Sequence, residues 1–232
     1  MDGVEKHLVV VAIDGPAGAG KSTIARRLAG RLGFTYIDTG AMYRAVALCA
    51  LRQKLDPSDL SRMEALARAA EIKLETNPPR VRLNGEDITE AIRTPEVSEA
   101  ASRVAVIAGV RRAMVDKQRA MAARASVVME GRDIGSVVFP DARVKIFLDA
   151  RAEERVRRRF EEDKEKGTAV AADAVARQMR ERDQRDSTRA EAPLTQAPDA
   201  VYLDTTGLTI DQVEEAALDL VRARIEQAKE GH

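Results

Sequence analysis

Apolar and polar positions alternate along the chain in blocks of different period. Leu8-Val9-Val10-Val11-Ala12-Ile13 is an unbroken, mostly β-branched apolar run, the pattern of a strand buried on both faces of a parallel sheet. Ile24, Leu28 and Leu32 then recur at helical spacing and stop at Gly33, which predicts one buried helical stripe ending in a glycine cap. Phe34-Thr35-Tyr36-Ile37 predicts a second short strand closed by Asp38-Thr39-Gly40, with a helix over about 41–55 behind it. Leu60, Met63, Leu66 and Ala67 mark another amphipathic helix. The period then drops: Ile72-Lys73-Leu74-Glu75 and Val81-Arg82-Leu83 alternate, and Asn84-Gly85 is a hairpin turn. A small antiparallel patch is therefore expected inside a strand-helix chain.

Thr94-Pro95 opens a helix over about 95–107 with Val97, Ala101 and Val104 on one face and Ser102 beside it. Gly109 is expected to break it, before a second helix to about 124. Segments 126–129 and 143–149 predict further strands, the latter with alternating inner residues, and 200–204 the last core strand. A helix is expected over about 171–186. Thr209-Ile210-Asp211-Gln212 is a capping box opening a terminal helix whose inner face is Val213, Ala217, Leu220 and Ile225. The alternation gives an α/β fold class.

With 232 residues and 44% hydrophobic content, one domain carrying insertions is expected. Lys+Arg and Asp+Glu stand at 38 each, so no net field draws nucleic acid or an anionic membrane. No Trp, three Tyr and four Phe leave few stacking platforms for single strands. Cys49, the single cysteine, lies in an apolar helical run and predicts a buried structural thiol without a disulfide. Asp2 and Glu5 precede a strand that leads straight into a glycine-rich motif, so neither a signal peptide nor a membrane span is expected. A cytoplasmic enzyme fits.

That motif is Gly15-Pro16-Ala17-Gly18-Ala19-Gly20-Lys21-Ser22, followed by Thr23, and it matches G-x-x-x-x-G-K-[ST] between a strand and a helix. Its glycines let successive amide N–H groups turn inward around a polyphosphate, and the helix N-terminus adds unpaired donors. Lys21 brings a charge to the β/γ-phosphates and Ser22 a hydroxyl for Mg²⁺. A nucleoside-triphosphate site follows.

Further candidates sit at predicted strand ends, where ligands bind in parallel α/β sheets. Thr39, Tyr43 and Arg44 could grip a second phosphate, or form a capped helix start with a solvated arginine. Glu130 closes an apolar strand where a magnesium-orienting carboxylate would stand. Arg132 and Asp133 need partners or form a loop salt bridge. Arg111, in a helix first turn, opposes the dipole and so points to another partner. Arg155, Arg158 and Arg159 share a helix face, either as a solvated run or as mobile cations arriving on closure. Arg182, Asp186 and Arg189 form a polar face of alternating sign.

Taken together, the stretches IDGPAGAGKST at 13–23, DTGAMYRA at 38–45, IRTPEVSEAAS at 92–102, EGRDIGSVVFPDA at 130–142, KIFLDA at 145–150 and RDQRDSTRAEAPL at 182–194 resemble the bacterial cytidylate kinases from end to end. The resemblance implies a five-stranded parallel sheet flanked by helices, an inserted CMP-binding subdomain over 66–108 and a short lid over 151–168, all within one P-loop kinase domain. It implies MgATP as donor, CMP or dCMP as acceptor, and a monomer. By motif, Thr39, Tyr43, Arg44, Arg132 and Arg182 resemble contacts to the CMP phosphate. Ser102, Arg111, Asp133 and Arg189 resemble the cytosine-recognising group, and Asp186 with Arg182 the pentose contacts. Arg155, Arg158 and Arg159 match the lid cations. The expected catalytic set is Lys21, Arg132, Arg158, Arg159 and Arg182. Other readings are a P-loop kinase for another small acceptor, and a nucleotide-dependent switch or nucleic-acid-associated ATPase.

Overall fold

A computed structural model describes residues 8–165, 167 and 171–230, with side chains to residue 227. The last position of the 151–168 segment, and Thr168-Ala169 with it, lie outside the described residues. Strands β1 (Val10–Asp14), β2 (Thr35–Asp38), β6 (Val127–Glu130), β7 (Val144–Asp149) and β8 (Val201–Asp204) form a five-stranded sheet in the order β2-β6-β1-β7-β8, every pair parallel. The chain leaves β1 for one side of the sheet and returns through β6 and β7 to the other. β1 is therefore central, and the crevice at its carboxyl end is where the strand order reverses.

Side-chain alternation sorts the core by face. Val11 and Ile13 of β1 pack with Val128, Ile146 and Leu148 under helices α1 (Lys21–Leu32) and α8 (Ile210–Glu230). Ala12, Val127 and Met129 face the other way with Ile134 and Val138. Each fully buried side chain such as Leu28 or Ile13 contributes roughly 1.5–3 kcal/mol. In β7 Val144, Ile146 and Leu148 alternate into that core as expected, while Lys145 and Phe147 between them are also buried.

A third cluster unites α2 (Thr39–Arg52), α3 (Leu60–Ala69), α4 (Pro95–Val104) and α5 (Ala108–Ala122) with the antiparallel sheet β3 (Ile72–Thr76), β4 (Pro79–Leu83) and β5 (Glu86–Asp87). Met42, Met63 and Met114 lie at its centre, fully buried. The Asn84-Gly85 turn has positive φ at both residues, 51° and 87°, as the twist of a two-residue hairpin requires. Gly109 does not break a helix as its type suggested. α4 ends at Val104, α5 begins at Ala108, and a Cβ on Gly109 would stand 2.1 Å from Glu64 Oε2 of α3. That glycine permits close helix approach. Gly33 caps α1 at φ 67°, and Thr209 and Gln212 exchange both capping bonds, 3.2 and 2.9 Å. Cys49 is half-buried rather than enclosed, its Sγ accepting from Gln53 Nε2 at 3.3 Å.

Candidate active site

The glycine-rich loop forms because β1 drives its backbone into a space that side chains would fill. Gly15 has φ 147°, and a Cβ there would come 1.9 Å from the Leu148 carbonyl oxygen of β7. Gly18 is at φ 75°, with the Arg155 carbonyl oxygen 2.9 Å from where its Cβ would be. Gly20, at φ 90°, caps α1, so Lys21 and Ser22 are its first residues. Lys21 is buried, with Nζ donating to Pro16 O at 2.5 Å. Burial, then the Arg132 guanidinium, pushes its pKa well down. A polyphosphate is the partner that would restore its charge.

Behind Ser22, its Oγ donates to Glu130 Oε2 at 2.9 Å, and Tyr36 Oη donates to Oε1 at 2.5 Å. Burial, then the Asp38 charge, raises the Glu130 carboxyl. Thr39 Oγ1 donates to the Glu130 carbonyl at 2.7 Å, pinning the start of α2 to the end of β6.

Beside this loop lies a cleft lined by all ten acceptor candidates: Thr39, Tyr43, Arg44, Ser102, Arg111, Arg132, Asp133, Arg182, Asp186 and Arg189. They come from α2, α4, α5, the loop after β6, and helix α7 (Ala172–Thr188) with the residue beyond it. Two ionic groups line it. Towards the glycine-rich loop, Arg132 Nε donates to Asp186 Oδ2 at 2.9 Å, Arg182 Nε stands 4.0 Å from the same oxygen, and Arg44 pairs with Asp38 at 2.9 Å. Burial, then Arg132, pulls the Arg182 guanidinium down to about 10. Its Nε is buried without a hydrogen bond. Further in, Asp133 is paired with Arg111 and lies 3.5 Å from Arg189 Nη2. Arg111, which the helix dipole argument left in need of a partner, has this one; its guanidinium also lies 5.8 Å from the Tyr43 ring centroid.

The remaining candidates sit on α6 (Ala152–Glu165) and take different partners. Arg155 Nη1 donates to Ala17 O at 3.0 Å and to Asp183 Oδ2 at 2.5 Å. Arg158 holds the loop after β8 through Thr205 Oγ1 and O, 2.9 and 2.8 Å. Arg159 pairs with Glu162 and Asp163 of its own helix, 3.3 and 3.1 Å. Sequence reasoning missed Tyr36 on Glu130, Asp183 against Ala17 N–H at 3.4 Å, Arg185 donating to Ser102 at 3.2 Å, and Asp14. A tyrosine in a short strand or a second aspartate in a charged helix carries no signal of its own. Asp14, abutting the motif, was the one open to suspicion.

A phosphate-binding loop facing an arginine-lined cleft narrows the fold to kinases of small acceptors without saying which. The model for the family cytidylate kinase matches residues 11–223. The chain belongs to the cytidylate kinase family. It is 63% identical over 232 residues to a cytidylate kinase of Solibacter usitatus, covering 99% of each chain. To that of Caldanaerobacter subterraneus it is 50% identical, covering 92% of this chain and 95% of the other. A solved structure of an uncharacterized protein from Eubacterium ventriosum shares the fold at TM-score 0.54 and 11% identity, covering 93% and 98%. The family's reaction is the ATP-dependent phosphorylation of CMP or dCMP, and this chain is such a kinase. The alternative acceptors raised by the motif alone are not favoured.

Proposed function

We propose that the enzyme transfers the γ-phosphoryl group of MgATP to the phosphate of CMP or dCMP by holding donor and acceptor against their mutual repulsion. The observation that carries this division of sites is the under-neutralised arginine group. Arg44, Arg132 and Arg182 converge with Asp38 and Asp186 as counter-charges, and Arg182 is held below its usual range by burial and by Arg132. A dianionic phosphate relieves that repulsion. Its second pKa is about 6, so the attacking oxygen is already anionic near neutral pH and no general base is required. Catalysis is then positioning and charge neutralisation.

Lys21 would leave Pro16 O for the donor phosphates, with the loop of residues 15–23 around them and N–H groups donated by all of it but Pro16. Arg155, on the lid segment, already contacts that loop and Arg158 the loop after β8, and Arg159 would turn from its helix on closure. Ser22 and Glu130 fit a hard cation: a hydroxyl and a carboxylate side by side. Among the described residues no group of three or more acidic, His or Cys side chains gathers around one point, so the other ligands would be phosphate oxygens and water. Mg²⁺ there supplies neutralising charge at the β/γ-phosphates. Asp133, with Arg111 and Arg189 behind it, and Ser102 would read cytosine, and Asp186 the pentose, the acceptor subdomain over 66–108 contributing Ser102 from α4. No described helix is long and apolar enough to cross a membrane; a cytoplasmic monomer completes the reading.

A coupled assay of ADP release tests it with CMP, dCMP, UMP and AMP. CMP and dCMP should exceed UMP in kcat/KM by about 10²-fold or more, because a site built for the 4-amino group leaves buried acceptors unpaired with uracil. Asp133→Ala should erase most of that ratio. Equal rates on all four acceptors would refute the assignment.

A further inference from the structure

Asp14 is a buried carboxylate that the reaction as described does not use. It ends β1, immediately ahead of Gly15, and its side chain turns away from the donor loop. Oδ1 accepts the Ile134 N–H at 2.8 Å and Oδ2 the Gly135 N–H at 2.7 Å. One residue earlier, Ile13 O accepts the Gly131 N–H at 2.9 Å. The end of β1 thus grips the segment on both sides of Arg132 and Asp133, which project into the cleft between the grips. Past them the chain enters a single π-helical turn, Ile134–Val138, whose first amides Asp14 caps. The fit is close: a Cβ on Gly131 would meet Ile134 Cδ1 at 2.6 Å, and one on Gly135 would meet Lys145 Cδ at 3.1 Å. Lys145 itself is directed to Pro140 O and Asp199, leaving Asp14 with the backbone donors.

We propose that Asp14 is a positioning residue for the acceptor, holding the loop that presents Arg132 and Asp133 while anchoring it to the strand that carries the phosphate-binding loop. This deepens the reading of the cleft as the CMP site and rests on it. The chemistry asks for a carboxylate: two N–H donors converge on one side chain, and an amide would satisfy one and turn its own NH₂ against the other. Burial pushes the carboxyl up to about 6 in spite of both bonds, a cost retained at this one place.

The test is Asp14→Asn in the full chain, read as a split between substrates. KM for CMP should rise about 10-fold or more, while the Kd for ADP alone changes less than about 2-fold. Arg132→Ala should cost about 5-fold less in kcat/KM for CMP on the Asp14→Asn background than on wild type, because its guanidinium is already displaced. Additive losses, unchanged CMP kinetics, or equal losses of ADP and CMP binding would overturn the proposal. Hydrogen exchange on the wild-type chain needs no variant: the Ile134 and Gly135 amides should be protected at least about 100-fold over free peptide, and unprotected amides would also overturn it. A wild type without preference for CMP would instead refute the acceptor reading and the positioning role with it, and the exchange measurement would then decide only whether Asp14 anchors the loop.

Discussion

Lys21 shows at the scale of one residue why an idle kinase site is electrostatically uncomfortable. Its amine is buried and donates to a carbonyl oxygen, and the charges of Arg132 and Arg182 oppose its protonation while Glu130 and Asp14 favour it. On the proposed reading, donor phosphates would relieve the burial and the like-charge repulsion. Lys21→Ala should therefore lower kcat by at least about 10²-fold, by analogy with the loss of one oxyanion donor. A coupled assay at saturating ATP and CMP measures it, and a near-normal rate would contradict the role. Arg182 lives under the same constraint on the acceptor side. Its partner Asp186 is shared with Arg132, which leaves guanidinium charge over for the substrate.

Elements turn such residues into a site, and the loop after β1 does so through one close approach. Because the Leu148 carbonyl occupies the place of a side chain at Gly15, Gly15→Ala adds backbone collision to an unfavourable φ. The expected loss is on the order of 3 kcal/mol in urea unfolding; a variant within about 0.5 kcal/mol of wild type would show that the loop yields freely. Motif spacing made this loop legible because its glycines answer to local backbone geometry. The same holds for the Gly33 cap, the Asn84-Gly85 turn and the Thr209 capping box, all formed by residues within a few positions of one another. What escaped was decided at a distance. Gly109 is set by Glu64 on another helix, and the burial of Lys145 and Phe147 by the place of β7 inside the sheet. The turn at Ile134–Val138 depends on Asp14, more than a hundred residues away in sequence. The charged helix α6 was ambiguous for a related reason: periodicity put Arg155, Arg158 and Arg159 on one side, yet two reach across to the core and one stays home.

For the whole molecule, the order of strands explains why donor and acceptor meet. β1 ends in the phosphate-binding loop, its neighbour β6 ends in Glu130-Gly131-Arg132-Asp133, and β2 on the far side of β6 hands over to Thr39. Loops that are far apart in sequence thus share one edge, and helices α4, α5 and α7 close the acceptor side around it. On the proposed reading the two halves would hold phosphate by different means, metal with lysine on one and guanidinium on the other. Chelating Mg²⁺ with EDTA should stop turnover while changing the Kd for CMP by less than about 2-fold in calorimetry; parallel loss of both would mean that the cleft depends on the donor site. The central claim concerns where the acceptor phosphate goes. A crystal structure with ADP and CMP bound should place that phosphate within hydrogen-bond reach of Arg132 and Arg182, its oxygen facing the gap beyond the β-phosphate. CMP bound outside the cleft, or turned with its base towards Lys21, would contradict the account.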